Sequence, residues 1–184
     1  YVMRDRKFVE RLIERAKRAN CSALVLTLDL PISGQRHKDI KNGLSAPPKL
    51  TLPNLMNIAG KPRWWWNMLQ TRRRTLGNIV GHIDGMGDNA LLSEWCARQF
   101  DPTLNWDDVR WIRGLWDGKL VLKGIQDIED ARIAATTGAD ALIVSNHGGR
   151  QLDGAPSSIV ALPLIAEAVG HRMEVHMDGG IRSG

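Results

Sequence analysis

Apolar residues recur along this chain at two spacings, and the alternation between them predicts its architecture. Phe8, Val9, Leu12, Ile13, Ala16 and Ala19 fall at helical intervals with Arg and Lys between them. This predicts an amphipathic helix over residues 5–19 that closes near Asn20. The short run Ala23 to Leu28 follows and reads as a buried strand, with Thr27, Asp29 and a Pro31 turn at its end. The couplet recurs downstream. Asn105 caps a helix whose first turn holds Asp107 and Asp108, where the helix dipole favours negative charge. Trp106, Trp111 and Trp116 are assigned to packing. Leu120 to Leu122 is a strand ending in Lys123-Gly124, and Asp127 to Asp130 opens a helix that runs through Ala134 and ends at Gly138. The branched run Ala139 to Val144 is a further buried strand, followed by a helix from Ser157 to Val169 and a strand from Glu174 to Met177. Strand-then-helix units beginning near residues 23, 120 and 140, with one more strand at 174, predict an α/β fold: about half of a parallel β/α barrel.

Residues 44–104 break this rhythm. They are rich in Pro, Gly and mixed polarity, with weak periodicity apart from a helix expected over 91–100, and such a stretch is expected as an insertion or lid. Within it, Lys61-Pro62-Arg63-Trp64-Trp65-Trp66 and Arg72-Arg73-Arg74 combine five cations with three tryptophans and no acid. Indoles favour the water–lipid boundary and cations favour anionic headgroups, so one reading is a monotopic membrane contact. The other is a solvated helix whose tryptophans cover the barrel or a neighbouring subunit. No nucleic-acid motif accompanies the cluster, and nucleic acid is not expected as a partner.

Composition changes the picture in two places. The chain has 184 residues, whereas a complete barrel needs roughly 250, and it opens on Tyr and stops in a Gly-rich turn. It is therefore read as an internal fragment of one such domain, 1–184. The net charge of +5 is compatible with anionic partners but decides nothing by itself. No run reaches the roughly 18 apolar residues of a membrane span. Cys21 and Cys96 have no metal-ligand spacing and no disulfide framework, which fits a reducing compartment and no metal.

The stretch with most chemistry is Ser145-Asn146-His147-Gly148-Gly149-Arg150-Gln151-Leu152-Asp153-Gly154, directly after the strand ending at Val144. At the top of a barrel strand, an imidazole that titrates near neutrality and a guanidinium that grips carboxylates suit proton removal from an anionic small acid. A second stretch, Asp178-Gly179-Gly180-Ile181-Arg182, follows the last strand. Its backbone amides and Arg182 suit a phosphate, and Asp178 suits the hydroxyls of a ribityl chain.

The run Ser-Asn-His-Gly-Gly-Arg-Gln-Leu-Asp resembles the signature of the FMN-dependent L-2-hydroxy-acid dehydrogenases and oxidases, which include glycolate oxidase, L-lactate dehydrogenase, mandelate dehydrogenase and flavocytochrome b2. The resemblance covers residues 1–43 and 105–184 closely and 44–104 loosely. It implies a (β/α)8 TIM barrel of which this chain supplies strands four to seven, with the long insertion after strand four. It implies FMN as cofactor, contacted by Thr27, Lys123, Ser145, Asp178, Gly179, Gly180, Ile181 and Arg182, with Lys123 against the flavin N1–O2 edge. It implies His147 as the base, Asp29 as its hydrogen-bonded partner, and Tyr1, Arg36 and Arg150 on the substrate carboxylate. The Val2-Met3-Arg4-Asp5-Arg6 opening, the stretch from Phe100 to Trp106 and the Asp117-Gly118 turn look most like the bacterial L-lactate branch, with mandelate as the rival substrate. The implied electron acceptor is a quinone or cytochrome, with oxygen as the alternative. The implied parent is a homo-oligomer in the cytoplasm, held peripherally on the inner face of the bacterial inner membrane. Two readings of other classes compete: a membrane-associated binding module around 61–74, and an inert remnant with open sheet edges.

Overall fold

The structure, a computed structural model, describes residues 1–32, 34, 36–43, 51–71, 77–79, 95 and 98–183. It divides into two compact units, residues 1–35 with 100–184, and residues 36–99. Along the chain the elements are α1 (Arg6–Arg18), β1 (Ala23–Thr27), α2 (His37–Lys41), α3 (Leu52–Ala59), α4 (Pro62–Gln70), α5 (Trp106–Leu115), β2 (Lys119–Ile125), α6 (Ile128–Ala134), β3 (Ala141–Val144), a 3-10 turn (His147–Gly149), α7 (Ser158–Val169) and β4 (Glu174–Met177).

In the first unit the four strands form one parallel sheet in the order β1-β2-β3-β4. Thr27 lies opposite Lys123, Lys123 opposite Ile143, and Ile143 opposite His176. Because side chains alternate along a strand, Leu120, Leu122, Leu142 and Val144 all face the helices and are fully buried. Ile13 of α1, Val109 and Ile112 of α5, Ala131 and Ala134 of α6, and Ile165 and Val169 of α7 complete that core. Each large aliphatic side chain buried there contributes about 1.5–3 kcal/mol. The opposite face carries Val25, Lys123, Ile143 and His176, which are buried less completely or exposed. One face of the sheet thus holds the fold together, and the other is free to carry polar groups.

Local chemistry sets the helix starts. Asp5 accepts from the Phe8 amide at 2.9 Å, Asn105 and Asp108 form a reciprocal capping box, and Asp127 accepts from the amides of Glu129 and Asp130. The segment that re-enters the first unit is tied to α1. Arg6 reaches Asp101 at 3.0 Å and Asp108 at 2.8 Å, and its guanidinium lies 5.4 Å from the centre of the Trp111 ring.

Three sequence expectations need restating. The strand expected to end at Lys123-Gly124 continues to Ile125, and the pairing with β3 shifts register between Lys123 and Ile125. Gly124 is the extra residue of a bulge, which keeps Lys123 on the polar face and turns Ile125 into the core. The insertion expected over 44–104 corresponds to a unit that starts and ends earlier, 36–99. Arg72 to Arg74, Cys96 and most of the helix expected over 91–100 lie outside the described residues.

At the opposite end of the sheet from the candidate site, Asp140 accepts from Lys119 Nζ at 2.6 Å and from the Leu120 amide at 2.9 Å, with Arg113 at 3.6 Å. The Lys119 hydrogen bond, helped by the Leu120 amide, holds the Asp140 carboxyl below the usual carboxylate range. A depressed folded-state value contributes stability that is present above the unfolded value of about 4 and is lost as pH falls through the folded value. In urea unfolding of the full-length protein, the stability gap between wild type and Asp140→Asn is expected to be full at neutral pH and to close below about pH 4. Leu142→Ala is expected to cost about 2–5 kcal/mol at any pH, since it leaves a cavity between the sheet and its helices.

Candidate active site

A parallel sheet delivers every strand's C-terminal end to the same edge, and there Asp29, Lys123, Ser145, His147 and Asp178 meet. After β1 the Leu28 amide still donates to the Lys123 carbonyl at 2.9 Å, so Asp29 is held beside the end of β2. After β3 the chain passes through fully buried Ser145 to His147. His147 has φ +55°, a left-handed conformation that costs a residue with a Cβ on the order of 1 kcal/mol. The turn is held by the His147 amide donating to Ser145 Oγ at 3.2 Å and the Gly149 amide donating to Asn146 Oδ1 at 3.3 Å.

That backbone aims the imidazole at β1. His147 Nδ1 lies 2.6 Å from Asp29 Oδ2, and the two side chains are only 20% and 17% exposed. A carboxylate on Nδ1 selects the tautomer protonated there and leaves Nε2 as a proton acceptor. The structure therefore brings together the base and the partner expected from the sequence, 118 positions apart.

Lys123 occupies the next strand. Its Nζ donates to Ser145 Oγ at 2.7 Å and pairs with the Asp178 carboxylate beyond β4. Burial by itself raises the Asp178 carboxyl, but hydrogen bonds from Lys123 and Ser145 and the Lys123 charge outweigh it, so the group sits below the usual range. Its Oδ1 is buried with no hydrogen-bond partner among the described residues. A cleft of about 580 Å³ opens alongside, lined by Ser157 to Ile159 and by Met177 to Ser183. Its floor is fixed by Ser158 Oγ donating to the Asp178 carbonyl at 2.6 Å. Gly179 is required there: its φ is +118°, and a Cβ would come within 2.7 Å of Ser158 Oγ.

Thr27 joins this group by register, opposite Lys123. Arg150 is exposed at the mouth of the 3-10 turn, and Tyr1 is also exposed. Arg36 belongs to the second unit, where it lies 3.9 Å from Asp39. Sequence reading passed over three contributors. Gln151 Nε2 lies 3.4 Å from the carbonyls of both Asp29 and Ile32, bridging the β1 and β3 loops. Ser158 orients the Asp178 turn, and Gly124 carries the bulge. Of these, Gln151 lies within the signature stretch and Gly124 had a local signal, a glycine interrupting an apolar strand, whereas Ser158 had none.

The family model described as FMN-dependent dehydrogenase matches residues 1–184. The chain belongs to the FMN-dependent dehydrogenase family. Among curated relatives, L-lactate dehydrogenase of Caulobacter vibrioides (strain NA1000 / CB15N) is 46% identical over 188 residues, covering 100% of this chain and 48% of that protein. L-lactate dehydrogenase of Acinetobacter baumannii (strain AYE) matches at the same identity and coverage. Among solved structures, the monotopic membrane protein (S)-mandelate dehydrogenase superposes with a TM-score of 0.90 at 31% identity, covering 99% of this chain and 48% of that one. A mandelate oxidase with (S)-4-hydroxymandelic acid gives 0.71 at 40% identity, covering 100% and 45%. The chain spans about half the length of the curated relatives it matches.

The residues present fit the family's cofactor. The unpartnered Asp178 Oδ1 is an acceptor awaiting a hydroxyl, the glycine amides and Arg182 offer donors to a phosphate, and Lys123 supplies a cation at the strand edge. The Lys123–Asp178 pair has a readable consequence. In Lys123→Met, burial of Asp178 is opposed only by the Ser145 hydrogen bond and the His147 charge, so its ionisation midpoint is expected to rise from its lowered position. Carboxyl-carbon NMR titration of the full-length protein measures this. The stabilising contribution that wild-type Asp178 loses on acidification is expected to shrink in the variant.

Proposed function

We propose that the full-length protein oxidises an L-2-hydroxy acid to its 2-keto acid with FMN as cofactor, and that L-lactate is the substrate. The observation that carries this reading is the Asp29–His147 contact of 2.6 Å, at the same edge of the sheet as the Lys123–Ser145–Asp178 group. His147 Nε2 receives a proton from the substrate, and Asp29 stabilises the resulting imidazolium through Nδ1. Arg150 and the Tyr1 hydroxyl hold the substrate carboxylate, orienting C2. Lys123, Asp178, the Gly179-Gly180 amides and Arg182 would hold FMN, Lys123 supplying a positive charge beside the ring and the other groups donors and acceptors for the ribityl and phosphate. The chemistry FMN supplies when bound is acceptance of two electrons from the substrate. The L-lactate assignment is supported by relatives of that name at 46% identity over the whole chain.

The test is anaerobic mixing of the full-length FMN protein with L-lactate and, separately, L-mandelate, followed by flavin absorbance. L-lactate is expected to bleach the flavin and L-mandelate to do so more slowly; the reverse order would transfer the substrate assignment to mandelate, and no bleaching by any L-2-hydroxy acid would refute the reaction. His147→Gln is expected to retain FMN and to slow reduction by about 10²–10⁴-fold.

A specific observation favours a membrane-bound acceptor. In the second unit, Leu52, Leu55 and Met56 of α3 and Trp64, Trp65, Trp66, Met68 and Leu69 of α4 are all exposed, with Lys61 and Arg63 at the start of α4. No helix among the described residues is long and apolar enough to cross a membrane. An amphipathic surface of this kind lies in the interface plane. We infer peripheral attachment and electron transfer to a quinone or cytochrome there. Substitution of all three tryptophans by Ser is expected to abolish sedimentation with anionic vesicles without slowing flavin reduction by substrate.

A further inference from the structure

Gly124 stands where three constraints meet. It is the extra residue in the shifted register between β2 and β3. Its φ is +99°, a conformation that L side chains rarely adopt. A Cβ on it would come within 2.6 Å of both Cγ and Oδ1 of Asp29 and within 2.8 Å of Asp29 Cβ. Asp29 Oδ1 is buried and has no hydrogen-bond partner among the described residues, whereas Oδ2 carries the 2.6 Å contact to His147. Hydrogen bonds therefore fix only one edge of the carboxylate. What confines the other edge is the bare backbone of Gly124.

We propose that Gly124 is a positioning residue: its missing side chain sets the location of the Asp29 carboxylate, and through Asp29 the orientation and tautomer of His147. The bulge serves both neighbours. It leaves Lys123 directed at Ser145 and Asp178 while opening, one residue later, the space that the carboxylate of the adjacent strand occupies. A methyl group at this position displaces the carboxylate. His147 then loses the acceptor at Nδ1, and nothing holds Nε2 in its proton-accepting form.

The kinetic part of this inference rests on the proposed hydroxy-acid oxidation, but the structural part does not, and the experiment separates them. Full-length FMN protein labelled with ¹⁵N-histidine is prepared as wild type, Gly124→Ala, Asp29→Gly and the double variant. In wild type, His147 is expected to give a strongly downfield Nδ1 proton and the Nδ1–H tautomer, and in Gly124→Ala both features are expected to vanish, as in Asp29→Gly, with FMN still bound. Flavin reduction by substrate is expected to slow by about 10²-fold or more in each single variant. The double variant is expected to lie within about threefold of Asp29→Gly, because residues that act through one contact are not additive. Retention of the downfield proton in Gly124→Ala, or equal slowing by Gly124→Ala in both backgrounds, would overturn the proposal. If Gly124→Ala does not fold, the double variant, in which the Cβ has room, is expected to fold as Asp29→Gly does. Its failure would show that Gly124 serves the backbone alone. If no L-2-hydroxy acid bleaches the wild-type flavin, the proposed reaction falls, while the imidazole signals still decide the role of Gly124.

Discussion

Everything in the first unit depends on the strands being parallel and paired in chain order. A parallel pair cannot be closed by a tight turn, so the chain must leave each strand at one edge, cross over and re-enter at the other. Two consequences follow from that single constraint. The crossover helices cover one face of the sheet and form the core with Leu120, Leu122, Leu142 and Val144. The residues that follow each strand are delivered to a common edge, where Asp29, Lys123, His147 and Asp178 come from four different strands. Stability resides on one side and at the far end, with Asp140 as its electrostatic anchor, and chemistry is confined to the edge where the chain is exiting.

Burying so many polar groups at that edge is unfavourable unless each finds a partner. The structure meets this with two coupled arrangements: Lys123 with Ser145 and Asp178, and His147 with Asp29. Neither is complete among the described residues, where Asp29 and Asp178 each keep one buried oxygen without a partner. The two vacant acceptors differ in meaning. Asp178 Oδ1 adjoins the cleft bounded by the Gly179-Gly180 turn and suits a ligand hydroxyl, whereas Asp29 Oδ1 lies against Gly124. The left-handed backbone at His147 belongs to the same economy: local strain is accepted where it aims a reactive group.

The second unit has a different character. Its α3 and α4 leave large apolar side chains exposed. Trp65 and Trp66 stack edge to face with centroids 6.3 Å apart.

The sequence by itself determined the alternation of helices and strands, the caps at Asn105 and Asp127, and the stretches that carry chemistry. Those features are written in local periodicity and in side-chain-to-backbone hydrogen bonds a few residues long, so a linear reading reaches them. The resemblance carried by residues 145–153 then supplied the pairing of Asp29 with His147, a contact that the sequence pattern alone could suggest but not measure. Only the tertiary structure decided what depends on register between strands. The bulge at Gly124, the Gln151 bridge between two loops, the hold of Ser158 on the Asp178 turn and the pairing of Lys123 with Asp178 all join residues from separate strands or crossovers. Arg36, by contrast, belongs to the second unit, where it lies 3.9 Å from Asp39, and Tyr1 is exposed. Periodicity tells which face a side chain takes, but which atoms meet across strands is set by a shift of one residue in register. No local pattern encodes that shift.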